Sequence, residues 1–144
     1  MSWSAAAGDR EAERASVIVV DTSVWVAALR SARSPEAVAL DALLDADEVA
    51  LPVPVRTELL SGASRADRPR LRRGFSALPL LYPTDDTWAA VDRWVERAGD
   101  AGQRFGVGDL LIGALAAEVG ALVWSLDADF ARLRRLRLVE LYEV

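Results

Sequence analysis

Val17 to Val20 form an unbroken run of β-branched residues that stops at an acid, Asp21. A strand with one face in water alternates apolar and polar residues; a strand without alternation is buried on both faces, as in a parallel sheet covered by helices. Further apolar runs follow at Val49 to Val53, Leu78 to Tyr82, Leu122 to Trp124 and Leu138 to Tyr142. Helical signals fill the intervals. Thr22 to Leu29 reads as one helix, and Ser34 with Pro35 opens a second that buries Ala37, Leu40, Leu43 and Leu44. Pro54 starts a third that Gly62 can stop, and Ala66 to Phe75 reads as a short fourth. Pro83 and Thr84 lead into a long helix with Asp85 and Asp86 in its first turn, with Trp88, Val91 and Val95 on one face and Gly99 at its end. Asp109 to Val119 is almost wholly apolar and closes at Gly120, and Asp127 to Arg135 reads as a last short helix.

Strands and helices therefore alternate throughout. With short connections and right-handed crossovers this predicts a three-layer α/β/α domain around a mostly parallel five-stranded sheet. The chain of 144 residues suits one such domain, assigned to residues 17–144. Residues 1–16 are small and polar without periodicity and read as a loose extension. No apolar run approaches the ~18 residues needed to span a bilayer, and the N-terminal stretch lacks the pattern of a secretory signal. The expected location is cytoplasmic, with no membrane partner.

Composition narrows the chemistry. The sequence contains no Cys, His, Lys or Asn, so all 17 basic residues are Arg. Thiol nucleophiles, imidazole or thiolate metal sites, Ser-His-Asp triads, Schiff bases and the Walker-A lysine are all excluded. An enzyme built from this alphabet must work through Asp and Glu, and carboxylates at neutral pH serve best by holding a hard cation. Abundant Ala, Arg, Gly and Pro point to a genome rich in G and C as the cause of the omissions, and the restriction holds whatever the cause. The formal charge of −5 argues against indiscriminate nucleic-acid binding. Positive charge is nevertheless concentrated, with five Arg from Arg65 to Arg73 and four from Arg132 to Arg137. These are either solvated helix faces or contacts for a phosphate backbone.

Functional crevices of open parallel sheets lie beyond the carboxyl ends of the strands. Asp21 follows the first strand directly, and Asp127 follows Trp124 after only Ser125 and Leu126. Asp109 begins the most apolar helix, and Glu58 lies one turn into the helix after the second strand, beside Leu59 and Leu60. Taken singly, Asp21, Asp109 and Asp127 also suit helix caps. Glu58 differs: in a helix facing the core its carboxylate needs a cation or a donor. Carboxylates gathered at one edge repel each other unless a divalent ion joins them.

The segment VIVVDTSVWVAAL resembles the opening of PIN domains, the nuclease fold of VapC-type toxins. LPVPVRTELLSG resembles the family segment that carries a second acid, at Glu58, and GDLLIGALAAEVGALVWSLDADFARL resembles the segment with the third and fourth, at Asp109 and Asp127. The resemblance covers the chain from about Val17 onward. It implies a metal-dependent endoribonuclease of a VapBC-type toxin–antitoxin pair, with Asp21, Glu58, Asp109 and Asp127 holding Mg²⁺ or Mn²⁺ and water hydrolysing an RNA phosphodiester. It further implies a VapB-type antitoxin partner and a homodimer. Thr22 and Ser125 are supporting residues; Ser125 stands where the family often has Thr, and its hydroxyl suits a bond to a carboxylate or phosphate. Asp129, two residues past Asp127, is expected to point elsewhere and is a second choice. Gly113 replaces the Ala common in its helix, which weakens that helix.

Competing readings are poorer. A receiver-type phosphoacceptor would need a Lys, a haloacid-dehalogenase-like phosphatase would need Asp-x-Asp where this chain has Asp21-Thr22-Ser23, and Gly106-Val107-Gly108 is half of a dinucleotide loop with no strand before it. The alternative from another class is a non-catalytic PIN-like module that binds protein or RNA.

Overall fold

The computed structural model describes residues 17–144; the expected N-terminal extension lies outside the described residues. Four strands form one sheet, β1 (Ile18–Val20), β2 (Val49–Pro52), β3 (Leu80–Leu81) and β4 (Leu122–Trp124), in the order β3-β2-β1-β4. Every pairing is parallel. Consecutive residues of β1 point to opposite faces and all are buried, as are those of β2, so helices cover both sides. Seven helices do so among the described residues: α1 (Thr22–Arg30), α2 (Pro35–Asp45), α3 (Val53–Gly62), α4 (Arg68–Phe75), α5 (Asp85–Asp100), α6 (Val107–Glu118) and α7 (Ala128–Arg135).

Local chemistry explains several boundaries. Ser34 caps α2 by accepting from the Ala37 amide at 3.1 Å, with Pro35 as its first residue. Thr84 and Thr87 form a capping box at the start of α5. Gly120 takes a left-handed conformation, φ 67°, to turn the chain from α6 into β4. Leu110 to Ala116 are all buried, which makes α6 the central helix of the core, packed on β1, β4, α3, α5 and α7. Val19, Val20, Leu51 and Val123 of the sheet belong to the same buried cluster.

The expected fifth strand is not formed. Leu138 to Tyr142 makes one parallel bridge, Val123 to Leu141, secured by Val123 N to Glu140 O at 2.9 Å and Tyr142 N to Val123 O at 2.8 Å. The cause is the end of α7: Arg137 turns left-handed at φ 61° and the Leu138 amide donates back to Leu133 O, so the backbone reaches β4 only near Leu141. The buried face of α5 is also offset from expectation. Thr87, Val91 and Ala98 are buried, while Trp88 and Val95 are about half exposed.

Register places the site. Val20 pairs with Trp124, and the Asp21 amide donates to Trp124 O at 2.9 Å, so Asp21 and Ser125 leave the sheet side by side. Strand order reverses about β1, since the chain moves to β2 on one side and β4 on the other.

Candidate metal centre

Asp21 occupies the N-cap position of α1, yet its carboxylate caps no amide. Its Oδ2 instead accepts two hydroxyl donors, Ser23 and Ser125, each at 2.8 Å. Those serines are held in turn: Leu126 N donates to Ser23 Oγ at 3.0 Å and Asp127 N to Ser125 Oγ at 2.9 Å. Asp21 is 5% exposed, and a buried carboxylate needs such donors. Oδ1 has no donor among the described residues. Of the two hydroxyl residues expected to support the site, Ser125 bonds the Asp21 carboxylate, while Thr22 Oγ1 is buried without a partner among the described residues and the neighbouring Ser23 makes the second bond. The Asp-x-Ser spacing was the available signal, because a hydroxyl two residues on folds back over the turn.

Asp127 does cap its helix, accepting from the Asp129 amide at 2.9 Å through Oδ1. Asp109 is the third residue of α6, behind Gly106 as N-cap. Asp129 was expected to point away, but Asp109, Asp127 and Asp129 each bring a carboxylate oxygen within 4.8 Å of the others. The helical rule of divergence at a two-residue spacing does not apply, because Asp127 has extended backbone, φ −88° and ψ 128°, and lies outside the helix. Asp129 is additionally bound by Arg132, Nη1 to Oδ1 at 2.8 Å.

These carboxylates feel one another. Asp109 is raised from the ordinary 3.8 to about 7, first by burial, then by the charge of Asp127, by a hydrogen bond to Asp129 that favours its neutral form, and by the charges of Asp21 and Asp129. Glu58 stands apart from this group. It is exposed rather than core-facing, so it needs no compensating partner. Its Oε1 lies 3.6 Å from where a Cβ on Gly108 would sit, beside the first turn of α6 and next to Asp109 in sequence. The structure therefore gathers Asp21, Asp109, Asp127 and Asp129, with Glu58 at the rim. An all-oxygen donor set crowded enough to push Asp109 up to about 7 fits a hard divalent cation.

From Glu58 a groove of about 300 Å³ runs between α1, α3 and α4, lined by Val26, Leu29, Arg30, Leu59 and Arg70. The two Arg-rich segments are partly committed to the fold. Arg68 Nε donates to Leu60 O, Arg70 pairs with Asp67 at 3.6 Å and Arg134 with Glu143 at 3.4 Å. Arg65, Arg72, Arg73, Arg135 and Arg137 are exposed and form no ion pair among the described residues.

The family model of the PIN domain matches residues 18–136. The chain belongs to the PIN domain family. Ribonuclease VapC11 of Mycobacterium tuberculosis (strain ATCC 25618 / H37Rv) is 35% identical over 127 residues, covering 83% of this PIN domain chain and 93% of the relative. VapC ribonuclease Mb1587 of Mycobacterium bovis has the same identity and coverage. Among solved structures, VapBC-5 from Mycobacterium tuberculosis, a member of the VapBC family of toxin-antitoxin systems, superposes with a TM-score of 0.66 at 27% identity over 90% of this chain and 99% of that one. VapBC2 from Rickettsia felis, bound to a DNA fragment from its promoter, reaches a TM-score of 0.72 at 18% identity, over 88% and 97%, and shares the fold. No helix of the described residues in this PIN domain is long and apolar enough to cross a membrane.

Proposed function

We propose that this PIN domain is a cytoplasmic metal-dependent endoribonuclease of VapC type, the toxin of a toxin–antitoxin pair, using Mg²⁺ or Mn²⁺. The observation that carries the reading is the convergence of Asp109, Asp127 and Asp129 beside a buried Asp21 that two hydroxyls orient. The 35% identical relatives named as ribonucleases support it.

Asp21, Asp109, Asp127 and Asp129 would hold the cation, directly or through water, with Glu58 closing the side toward α3. When bound, such an ion supplies Lewis acidity and lowers the pKa of coordinated water. Ser23 and Ser125 fix Asp21 through Oδ2 and leave Oδ1 for the site. The exposed Arg65, Arg72, Arg73, Arg135 and Arg137 offer contacts to a phosphate backbone that position RNA without reading its bases. Hydrolysis exchanges the bond from phosphorus to the 3′ oxygen for one to a water oxygen. A VapB-type antitoxin is the proposed partner, in line with the toxin-antitoxin membership of the 27% identical neighbour, and a homodimer the proposed assembly.

RNA incubated with the purified protein is cleaved when Mg²⁺ or Mn²⁺ is supplied. Asp21→Asn lowers that rate by about 100-fold or more, because a lost ligand forfeits several kcal/mol of transition-state stabilisation. RNA that is bound but left intact with either ion would mark a non-catalytic module instead.

A further inference from the structure

Arg132 is the most heavily engaged cation of the described residues. Its Nη1 donates to Asp129 Oδ1 at 2.8 Å; Nε donates to Gln103 Oε1 at 3.0 Å, and Nη2 donates to the same oxygen and to Arg104 O at 3.0 Å. The guanidinium also lies 4.4 Å from the centroid of the Phe105 ring. One side chain on α7 thus grips a carboxylate of its own first turn and the loop that leads into α6, the helix of Asp109.

The arrangement has a physical logic. Asp129 stands among like charges at the mouth of the site, and repulsion from Asp109 and Asp127 drives an unrestrained carboxylate toward water. A guanidinium three residues on offsets that repulsion at the correct helical spacing. Its other contacts are an amide oxygen, a backbone carbonyl and a ring face, none of which competes for its charge. Only one nitrogen engages Asp129, so the carboxylate keeps acceptor positions open.

We propose that Arg132 is a positioning residue of the cation site: with its guanidinium seated on the 103–105 loop, it holds Asp129 against Asp109 and Asp127, so that cation affinity depends on a side chain that touches no cation. The inference rests on reading the carboxylates as a cation site.

The test is calorimetric titration of the full chain with Mn²⁺. Arg132→Gln weakens Mn²⁺ binding by about 10- to 100-fold, the range for loss of a group that orients a ligand. Arg132→Lys restores part of it, since an ammonium reaches Asp129 but lacks the fork that grips Gln103 and Arg104. In an Asp129→Asn background, Arg132→Gln changes affinity by less than about twofold, because the two act as one unit. Arg97→Gln removes a different anchor of α7, the bond from Arg97 Nη2 to Leu136 O, without touching Arg132 or Asp129; it lowers the melting temperature and leaves Mn²⁺ affinity within about twofold. Unchanged affinity in Arg132→Gln, an equal loss with Asp129 already removed, or an equal loss in Arg97→Gln would overturn the positioning role. Mn²⁺ binding to the unsubstituted chain separates that outcome from failure of the cation reading, in which that chain itself takes up no ion and both ideas fall.

Discussion

Ser125 donates its hydroxyl to Oδ2 of Asp21 at 2.8 Å, although 104 residues separate them. The parallel pairing of Val20 with Trp124 creates this contact, because each strand ends one residue before the pair. The same hydroxyl accepts from the Asp127 amide, so one atom links the acid after β1 to the acid after β4.

Ser125→Ala removes a donor from a buried carboxylate and an acceptor from a backbone amide. The expected loss is about 1–3 kcal/mol of stability, with a fall in RNA cleavage of about tenfold or more, while Ser125→Thr keeps both within about twofold. Denaturant unfolding and cleavage rates measured on the same preparations check this.

Asp109 gives the ion-free protein a pH dependence of definite sign. In the folded chain its carboxyl stays neutral up to about pH 7, whereas unfolded it ionises near 3.8. Between those values the folded state holds the extra proton, so stability falls as pH rises through the window and levels off above about pH 7. The full shift would be worth about 4 kcal/mol, and solvent access to a half-buried carboxyl reduces this to about 1–2 kcal/mol. Saturating Mg²⁺ displaces the proton and flattens the slope, and cation affinity rises with pH up to about 7. Melting curves from pH 4 to 8, with and without the ion, read both effects.

Asp109→Asn separates stability from function. It removes a charge from a repulsive cluster and is expected to raise ion-free stability at pH 8 by about 1 kcal/mol while abolishing cation-dependent cleavage. A variant that is both inactive and less stable at that pH would contradict the repulsion inferred at this site.

Gly113 has a different explanation from helix weakening. A Cβ at this position would lie 2.9 Å from Cζ3 of Trp94 and 3.1 Å from Cγ1 of Val139, so the absent side chain is what lets α5 and the 139 segment close on α6. Gly113→Ala gains about 1 kcal/mol of helix propensity and loses about 1–3 kcal/mol to overpacking against an indole ring. Net destabilisation in thermal unfolding is the expected outcome.

The β1 run, its terminal acid and the alternation of elements were legible because each is set by adjacent residues: four β-branched residues followed by Asp21 leave little choice of structure. What escaped depended on where elements meet. The place of Asp129 among the carboxylates turns on α7 starting at Ala128 rather than Asp127 and on the reach of Arg132, neither of which is encoded in a spacing. Glu58 is flanked by the buried Leu59 and Leu60, yet the docking of α3 leaves it exposed. The choice of Ser23 over Thr22 is not legible locally, because it is made by Ser125 and Leu126, about a hundred residues away. The fifth strand failed for a local reason, the left-handed Arg137, at a residue type that gives no warning of such a turn.

In the proposed nuclease, Asp21, Asp109, Asp127 and Asp129 share one divalent ion. Anomalous diffraction from crystals grown with Mn²⁺ locates that ion directly. A peak within coordination distance of oxygens from Asp109 and Asp127, with Asp21 or Asp129 completing the shell directly or through water, is the expected observation. A peak elsewhere on the chain, or none at saturating Mn²⁺, would refute the shared site.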